Sequence, residues 1–587
     1  MSLTRPSLLA LATCLALATG CGAPPATPAA PDAAATVDPA APASLSPREV
    51  APSYYGTLEP MAEHAVYFVV TDRFVNGDPG NDHRDQGGEH PSFDIPLPCG
   101  GEEGDNIGYL GGDFRGLLDN AGYLRELGFG AVWITPIVDN PDQAFTGGDA
   151  ISCTSFLTDR GKSGYHGYWA TNFHVVDEHL ESPGLAFADL TRGLRAQGLK
   201  TVLDIVGNHG SPGWTMPVAQ PGFGQVFDKD GTLVADHGNL PPGQLDPAHN
   251  PLHAFYNTKP DLAQLSDFDA GNPAVMDHLV SAYLQWAAQG VDAFRIDTIR
   301  HQPLSFWKEF ADRIRAKHPG FFMFGEAFDY DAATIAPFTW PENGGISVLD
   351  FPVKKALSEA VDRDGGDYAT LAAPLALENG PYQNPYELMT FYDNHDMARL
   401  DASDEGFIDA HHWLFTARGT PVIYYGSETG FMRGRVEHSG NRNYFGQQRV
   451  DQARSHPIYL ALKRIAAVRA ASPALQRGLQ LNLELQGDRA AFYRVYQHGG
   501  KAQIALVLLN KGDAPTRFAV SDYLQAGTWR AALAGGDITV AAGGTLEAEV
   551  PAHGAEVFLL DAEVAEPRLA ARLAELMASA RRRTSDG

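Results

Sequence analysis

The stretch DAFRIDTIRH, residues 292–301, places Arg295 and Asp297 two positions apart in a run that is otherwise typical of a buried strand. VDAFRID at 291–297 has the length and apolar composition of a strand inside a parallel sheet. A buried salt bridge would explain such a pair, and so would a functional group at the end of the strand. The neighbouring strands distinguish the two explanations.

Seven further apolar segments of similar length occur along the chain, and most are separated by amphipathic helical patterns such as AVMDHLVSAYLQWAAQG at 274–290. Strands that alternate with helices are the pattern of βαβ units and a parallel sheet. Eight such strands predict an α/β fold, a (β/α)8 TIM barrel. The predicted strands are 65–74, 131–138, 201–209, 291–297, 321–328, 346–352, 388–396 and 421–428.

Two connections are longer than ordinary barrel loops. Residues 139–185 and 210–268 exceed the usual length of roughly two to six residues, and the second predicts an irregular inserted subdomain after strand three. Beyond residue 475 the pattern changes to alternating stretches such as AAFYRVYQ, which predict a separate antiparallel β domain. The predicted division is a barrel at 52–209 and 269–474, subdomain B at 210–268, a β domain at 475–562 and a helical tail at 563–587.

The first 51 residues have the composition of an export signal followed by a tether. Arg5 precedes the apolar run LLALATCLALATG, and ALATGC resembles a bacterial lipoprotein signal in which Cys21 becomes the acylated first residue, although Ala18 stands where Leu is preferred. Residues 1–20 are therefore predicted as a lipoprotein signal peptide and 21–51 as an Ala/Pro-rich tether. The protein is expected to be exported and lipid-anchored at the outer membrane or cell surface, with a soluble secreted product as the alternative.

Composition excludes one class of partner and leaves one pair of cysteines. The 44 Lys and Arg residues oppose 71 Asp and Glu residues, and a formal charge of −27 repels phosphate backbones, so no nucleic acid partner is expected. Cys99 and Cys153 remain in the mature body, where they form a disulfide candidate with two unpaired thiols as the alternative. No later segment has eighteen consecutive apolar residues, so membrane contact is expected through the lipid anchor only.

Polar residues gather at the carboxyl ends of the predicted strands, where the chemistry of a TIM barrel lies. Carboxylates that end adjacent parallel strands, about 4.8 Å apart, can approach the separation of about 5 to 5.5 Å used by retaining glycosidases. Arg295 favours the ionised form of Asp297, whereas Glu326 faces two other carboxylates and is expected to have a raised pKa. Several strands contribute to this rim, so a lone salt bridge is the weaker explanation. The residues are Asp204, Asn208, His209, Arg295, Asp297, Glu326, His395 and Asp396.

These segments resemble the α-amylase family of retaining glycoside hydrolases, glycoside hydrolase family 13, over almost all of residues 60–562. The resemblance implies Asp297 as nucleophile, Glu326 as general acid/base and Asp396 as the third carboxylate, which supports the distorted transition state. The matching motifs are DIVGNH (204–209), FRIDTIRH (294–301), FGEAF (324–328) and FYDNHD (391–396), with YHGYW (165–169) and GTPVIYYGSE (419–428) in support.

The same resemblance implies the substrate contacts. His209 and His395 are expected to hydrogen-bond the sugar beside the scissile bond, and Tyr168 is expected to stack on its ring. Arg295 orients the nucleophile with the help of Asp204. Glu428 also ends a strand, but it matches no catalytic group of the family and is interpreted as rim structure or a substrate contact.

A second polar cluster, NGDPGND at 76–82, carries oxygen donors at spacings that suit a hard cation, although a polar turn has the same composition. The resemblance implies that calcium is the cofactor here, because related amylases bind it at matching positions. A second family calcium is implied at Asn208 and the His301 carbonyl, but Gln264 stands where many members have Asp. The expected ligands of the first ion are Asn76, Asp78, Asn81, Asp82, the Gly111 carbonyl and Asp113.

The motifs are shared by α-amylases and cyclodextrin glucanotransferases, which form the same glycosyl-enzyme and differ in whether water or a sugar hydroxyl resolves it. Pro260 stands where glucanotransferases carry an aromatic residue around which the glucan wraps, and the chain ends soon after its first β domain. Hydrolysis of α-1,4 bonds in starch or maltooligosaccharides is therefore expected, with glucanotransferase or neopullulanase-like action on cyclodextrins as the alternative. A non-catalytic glucan-binding protein would lack one of the carboxylates, and all three are present.

Overall fold

Short parallel strands surround one apolar core, as the alternation of strand and helix patterns predicts. The computed structural model describes residues 52–97, 104–152, 158–362, 365–437 and 440–582. The strands are β1 (Val66–Val69), β2 (Ala131–Ile134), β3 (Val138–Asp139), β4 (Asn172–Val176), β5 (Lys200–Ile205), β6 (His209–Pro212), β7 (Gln225–Phe227), β8 (Leu233–Asp236), β9 (Leu265–Asp267), β10 (Ala293–Ile296), β11 (Phe322–Gly325), β12 (Ser347–Val348), β13 (Met389–Thr390), β14 (Thr420–Tyr424), β15 (Leu479–Gln486), β16 (Arg489–His498), β17 (Lys501–Asn510), β18 (Thr516–Val520), β19 (Gly527–Ala531), β20 (Ile538–Val540), β21 (Leu546–Val550) and β22 (Gly554–Leu560).

Amphipathic helices cover the outside of these strands. Helix α5 shows why they form where they do: Pro273 occupies its first turn, and the Asn272 side chain accepts a hydrogen bond from the Ala274 backbone N–H. The helices are α1 (Thr71–Phe74), α2 (Phe114–Asp119), α3 (Ala121–Glu126), α4 (Phe187–Ala196), α5 (Pro273–Ala288), α6 (Leu304–Lys317), α7 (Ala332–Ile335), α8 (Phe351–Val361), α9 (Asp404–Thr416), α10 (Gly446–Ala453), α11 (Pro457–Ala470), α12 (Pro473–Arg477) and α13 (Pro567–Ser579).

The central sheet has eight strands in the order β12-β11-β10-β5-β2-β1-β14-β13, and all neighbouring pairs are parallel. A parallel bridge between Leu349 and Met389 joins the two ends of this order, so the sheet closes into a barrel. Each of the eight lies within or largely overlaps one predicted strand, and the α/β TIM-barrel prediction is confirmed.

Some barrel strands are shorter than the apolar patterns predict. Strand β13 contains only two residues of the predicted 388–396 segment, and β12 only two of 346–352. Helix α8 begins at Phe351 with Pro352 in its first turn, which ends the strand pattern there. After β13 the chain leaves the ladder, and the polar residues of FYDNHD lie on the rim rather than in the sheet.

The two long connections share one small sheet. It has the order β3-β4-β7-β8, so it combines strands from the connection that begins at residue 139 with strands from the one that begins at residue 210. The antiparallel pair of β6 and β9 then leads the second connection back to the barrel. Both connections lie at the carboxyl edge of the barrel strands, because each leaves directly from the end of a strand.

An antiparallel sheet with the order β15-β16-β17-β22-β19-β20 follows the barrel, as the alternating pattern after residue 475 predicts. A two-stranded pair, β18 and β21, packs into the same apolar cluster. Helix α13 adds Leu569, Leu573 and Leu576 to that cluster, so the tail is a packed helix.

Several sequence predictions concern residues outside the described ranges. The signal peptide, Cys21, the tether, Cys99 and Cys153 all fall there, so the lipid anchor and the disulfide stay predictions. Across the described residues, none of the helices combines the length and the apolar character that crossing a bilayer requires.

Candidate active site

Asp297 and Glu326 lie side by side at the carboxyl edge of the barrel. Ile296 of β10 pairs with Gly325 of the neighbouring strand β11, and Asp297 and Glu326 are the residues that directly follow this pair. The Glu326 backbone N–H donates to the Ile296 carbonyl at 2.8 Å, which holds the two strand ends in register. Adjacent parallel strands are about 4.8 Å apart. The two side chains therefore start close enough together to reach the same substrate bond.

One guanidinium contacts both of these carboxylates and a third. Arg295 Nη1 lies 2.9 Å from Asp297 Oδ1 and 2.8 Å from Asp204 Oδ1, and Arg295 Nη2 lies 2.8 Å from Glu326 Oε2. The Arg295 side chain is fully buried. The sequence predicted the contacts with Asp297 and Asp204, but it did not predict the contact with Glu326.

Asp204 makes hydrogen bonds that hold the side chains around Arg295 in place. Its Oδ2 accepts hydrogen bonds from Trp133 Nε1 at 2.9 Å and from the Tyr168 hydroxyl at 2.8 Å. Burial raises the pKa of Asp204 to about 7, in spite of the opposing effect of Arg295. The third strand of the barrel therefore positions both the arginine and the aromatic residue that the sequence assigned to the sugar ring.

The Tyr168 ring lies nearly parallel to the His395 imidazole, with ring centroids 5.3 Å apart and an angle of 19° between the planes. Together with the hydroxyl contact to Asp204, this fixes the orientation of the tyrosine before any ligand binds. Tyr168 and His395 both line the cleft above the carboxylates, and so does His209. The structure thus brings all three predicted substrate-contact rings to one place.

Asp396, the third predicted carboxylate, is held by an arginine that the sequence analysis missed. Arg442 Nη2 lies 2.7 Å from Asp396 Oδ1, and Arg442 Nε donates to the His395 carbonyl at 3.0 Å. Arg442 belongs to the segment between β14 and α10, which has no strand or helix periodicity. Only the asparagine and arginine cluster NRN at 441–443 marks it in the sequence.

The ionisation of the site follows from burial and from its charges. The pKa of Glu326 is raised well above its usual range by burial, and Asp396 and Asp297 raise it further against the effect of Arg295. This agrees with the direction expected from the sequence. Burial lowers the pKa of His209 to about 4 and that of His395 well below its usual range, so both imidazoles are neutral at pH 7.

A cavity of about 720 Å³ opens above these residues, lined by Asp297, Glu326 and Asp396. Several residues that line this cavity were not predicted, among them Lys162, Trp169 and Arg300. All three lie within or near recognised motifs: Trp169 ends YHGYW, Lys162 lies three residues before it, and Arg300 lies inside FRIDTIRH. A larger cavity of about 900 Å³ lies between α9, α11 and the β domain, lined mainly by aliphatic residues and remote from these carboxylates. The chemistry therefore belongs to the smaller cavity.

The family described as "Alpha amylase, catalytic domain" matches residues 68–221 and 248–458, which include all of the strand-end residues above. The chain belongs to the α-amylase family.

Individual relatives include both kinds of enzyme that share the family motifs. The chain is 30% identical over 557 residues to an α-amylase of Streptomyces lividans, covering 80% of this chain and 58% of the length of that relative. It is 27% identical over 500 residues to a cyclomaltodextrin glucanotransferase of Klebsiella oxytoca, covering 77% of this chain and 71% of that one. The chain thus spans little more than half of the Streptomyces α-amylase family member.

Solved structures of the α-amylase family show the same division. A cyclomaltodextrin glucanotransferase with a three-domain ABC distribution has a TM-score of 0.67 and 27% identity, covering 85% of this chain and 99% of its own. The acarbose complex of a Geobacillus thermoleovorans α-amylase has a TM-score of 0.64 and 25% identity, covering 86% and 99%. Because a three-domain glucanotransferase exists, the number of domains does not separate hydrolysis from transfer, contrary to the sequence argument.

The residues expected for the first family calcium lie together beside α2. The Asp113 carboxylate accepts backbone hydrogen bonds from Gly77 at 3.1 Å and Asp78 at 2.7 Å. In the described part of the chain, the buried Oδ1 atoms of Asn76 and Asn81 have no hydrogen-bond partner. Unpaired buried amide oxygens beside carboxylates are the donor set that Ca²⁺ prefers, so these residues fit the ion.

The residues of the second expected calcium site make side-chain hydrogen bonds, but not through the oxygens that would bind the ion. Asn208 Nδ2 lies 3.5 Å from Asp267 Oδ1, and His301 Nδ1 lies 2.8 Å from Asp261 Oδ2. Burial raises the pKa of Asp267 to about 7. Because these contacts involve nitrogen atoms and leave the expected oxygen ligands aside, the second site stays a sequence prediction.

Glu428 fits the first of its two predicted roles, rim structure, rather than a substrate contact. It is fully buried in the turn Ser427–Thr429 that follows β14, where its Oε1 accepts from the hydroxyls of Tyr67 at 2.7 Å and Tyr123 at 2.5 Å. It does not line the 720 Å³ cavity.

Proposed function

We propose that this chain is a retaining glycosidase that hydrolyses α-1,4-glucosidic bonds in starch and maltooligosaccharides. The observation that carries the proposal is the placement of Asp297 and Glu326 on adjacent strands, with one guanidinium between them. Neighbouring strand ends favour the short carboxyl separation of about 5 to 5.5 Å of retaining enzymes over the roughly 6.5 to 9.5 Å that inverting enzymes need to admit a water.

In the proposed first step, Glu326 gives its proton to the glycosidic oxygen while Asp297 attacks the anomeric carbon. The bond to the leaving sugar breaks, and a covalent glycosyl-Asp297 ester forms. In the second step the Glu326 carboxylate takes a proton from water, whose oxygen attacks the anomeric carbon and releases Asp297. The raised pKa of Glu326 suits the first role, since the residue must hold a proton at a pH where Asp297 is ionised.

The surrounding groups suit the same reaction. Arg295 contacts both carboxylates, and Asp396 lines the same cleft, where it pairs with Arg442. The neutral imidazoles of His209 and His395 can donate or accept a hydrogen bond with sugar hydroxyls. Positive charge that develops at the sugar during bond cleavage would be stabilised by the Asp297 and Asp396 carboxylates.

An α-glucan substrate is supported by the relatives, which are named α-amylases and cyclomaltodextrin glucanotransferases, and by the acarbose complex of the Geobacillus relative. The second candidate is transglycosylation, because glucanotransferases are as similar to the chain as amylases are. Pro260, directly before the cleft-lining Asp261, favours hydrolysis, because it offers no aromatic ring for a wrapped glucan.

The proposal is tested by incubating purified protein with soluble starch and separately with β-cyclodextrin, then measuring reducing ends and cyclic products. Hydrolysis predicts linear maltooligosaccharides and few cyclodextrins. Cyclodextrins as the main early product would establish the transferase. Release of no product from either substrate would favour a glucan-binding protein and overturn the enzymatic proposal.

We further propose that Ca²⁺ binds at Asn76, Asp78, Asn81, Asp82, Asp113 and the Gly111 carbonyl. Gly111 has a φ of 84°, and a Cβ there would collide with the side chains of Asn76 and Asp82, so these groups approach the backbone closely. When bound, the ion would hold the loop before α2 and would supply no reacting group.

The proposed lipid anchor at Cys21 is tested by metabolic labelling with palmitate, which the Cys21→Ala variant should not incorporate.

A further inference from the structure

A chain of paired charges runs along one flank of the cleft and ends at Asp396. Lys162 Nζ lies 3.1 Å from Asp159 Oδ1 and 2.9 Å from Glu437 Oε1. Glu437 Oε1 lies 3.1 Å from Arg442 Nη1, and Arg442 in turn pairs with Asp396. All five side chains line the cavity that holds the carboxylates.

Lys162 is the unusual member of this chain. It is only 4% exposed, although lysine is rarely buried. Burial lowers its pKa, but Glu437 and Asp159 more than offset that effect, so the amine stays protonated. An ammonium has three N–H donors, and these two carboxylates account for two of them. Within the described residues the recorded acceptors of Nζ are Asp159 and Glu437, and Lys162 lines the cleft beside the ring of Trp169, whose centroid lies 5.9 Å from Nζ.

The position of Lys162 relative to the carboxylates identifies the part of the substrate it meets. Glu326 protonates the leaving oxygen, so the leaving sugar lies on the flank formed by residues that follow β10 and β11, among them Arg300 and Phe328. The wall formed by Asp396 and Arg442 contains neither Arg300 nor Phe328, and the retained sugar is assigned to this wall. Lys162 lies one ion pair beyond Arg442 on that wall.

We propose that Lys162 is a specificity-determining residue whose ammonium binds a hydroxyl of the glucosyl unit that precedes, on the non-reducing side, the unit held by the three carboxylates. This inference rests on the proposed function. A charge-assisted hydrogen bond in a desolvated cleft stabilises the binding modes in which a sugar lies beside Lys162. It therefore selects which bond of a long glucan is cut.

The test uses maltoheptaose labelled at its reducing end. Wild type, Lys162→Met, Lys162→Arg and the matched surface control Lys308→Met are compared for the frequency with which each bond is cleaved and for kcat and KM. Lys162→Met retains the length of the side chain and removes its charge. We expect it to move the preferred cleavage site by at least one bond and to lower kcat/KM about tenfold. Lys162→Arg should keep the wild-type pattern, and so should the control.

Unchanged bond frequencies in an active, folded Lys162→Met enzyme would overturn the inference and leave the proposed function intact. A wild-type protein that does not cleave maltoheptaose would overturn the proposed function instead. If Lys162→Met does not fold, Lys162→Gln replaces it. Failure of both to fold, at a temperature where Lys162→Arg is folded, would assign the positive charge to stability and also reject the inference.

Discussion

Arg295 Nη2 lies 2.8 Å from Glu326 Oε2, so the guanidinium that pairs with the proposed nucleophile also contacts the proposed acid. The arginine therefore cannot by itself give the two carboxylates different protonation states. Burial of Glu326, with Asp396 and Asp297 close by, raises its pKa against this cation. The separation of roles depends on the whole cluster rather than on one salt bridge.

Replacing the acid tests the assignment directly. Glu326→Gln removes the proton donor without changing the shape of the side chain, and general acid catalysis contributes typically about 10²- to 10⁴-fold. We expect kcat/KM on starch to fall by that factor, as measured by reducing-end release. The exposed Glu309→Gln substitution is the control and should retain wild-type activity. A Glu326→Gln enzyme within threefold of wild type would remove Glu326 from the mechanism.

The same residue predicts a pH dependence. The proposed mechanism requires protonated Glu326, so kcat/KM should fall on the alkaline side as this group loses its proton. Asp396 is one cause of the raised pKa, so Asp396→Asn should move this alkaline limb of its residual activity to lower pH. The measurement is a pH profile of kcat/KM with an aryl maltooligosaccharide. A limb that stays in place, or moves upward, would contradict the electrostatic account.

A third prediction concerns the stability of the anchor beneath the site. Asp204→Ala leaves Trp133 Nε1 and the Tyr168 hydroxyl without their acceptor and removes one partner of a buried arginine. Removing one partner of a buried pair costs about 3 to 5 kcal/mol, and we expect about 3 because Arg295 retains two other carboxylates. Urea unfolding measures the loss, with Asp292→Ala as a partly exposed control. A loss below about 1 kcal/mol would show that Asp204 does not anchor the site.

The barrel and its carboxylates could be predicted because strand ends are local in sequence. Asp297 and Glu326 each follow an apolar run, and parallel register then places them side by side. Arg442 and Lys162 could not be found this way. They come from irregular segments with no periodicity, and only the folded chain brings the first against Asp396. The contact of Arg295 with Glu326 was missed for a different reason. The alternation of side chains along one strand does not show whether a side chain extends far enough to contact a residue on the neighbouring strand.

Chelation tests the proposed calcium site. Removing an ion that binds only the folded state lowers the free energy of unfolding by about 2.7 kcal/mol when its concentration was 100 times Kd. We therefore expect a chelator to lower the melting temperature of the wild type and added Ca²⁺ to restore it. Asp82→Asn should lose most of this response, whereas Asp85→Asn, at an exposed position in the same loop, should keep it. Equal chelator sensitivity in both variants would reject the proposed ligands.

The contact between His553 and Asp409 predicts how stability changes with pH. His553 Nδ1 lies 2.7 Å from Asp409 Oδ2, and this joins the turn before β22 to helix α9. The hydrogen bond to Asp409 raises the pKa of His553 to about 9 against partial burial. A folded-state pKa above the unfolded value of about 6.5 stabilises the protein fully below pH 6.5, and this contribution is lost as the pH rises to 9.

The melting temperature of the wild type should therefore decrease between pH 6.5 and 9, and His553→Gln should flatten that decrease. Burial raises the pKa of Asp409 from its usual 3.8 to about 6. The titration of Asp409 therefore changes the stability only between about pH 4 and 6, which lies outside this window. His249→Gln is the matched control, because His249 also pairs with an aspartate but is exposed. Thermal unfolding at closely spaced pH values measures the slopes. Parallel curves for wild type and His553→Gln would mean that the imidazolium does not hold the β domain against α9.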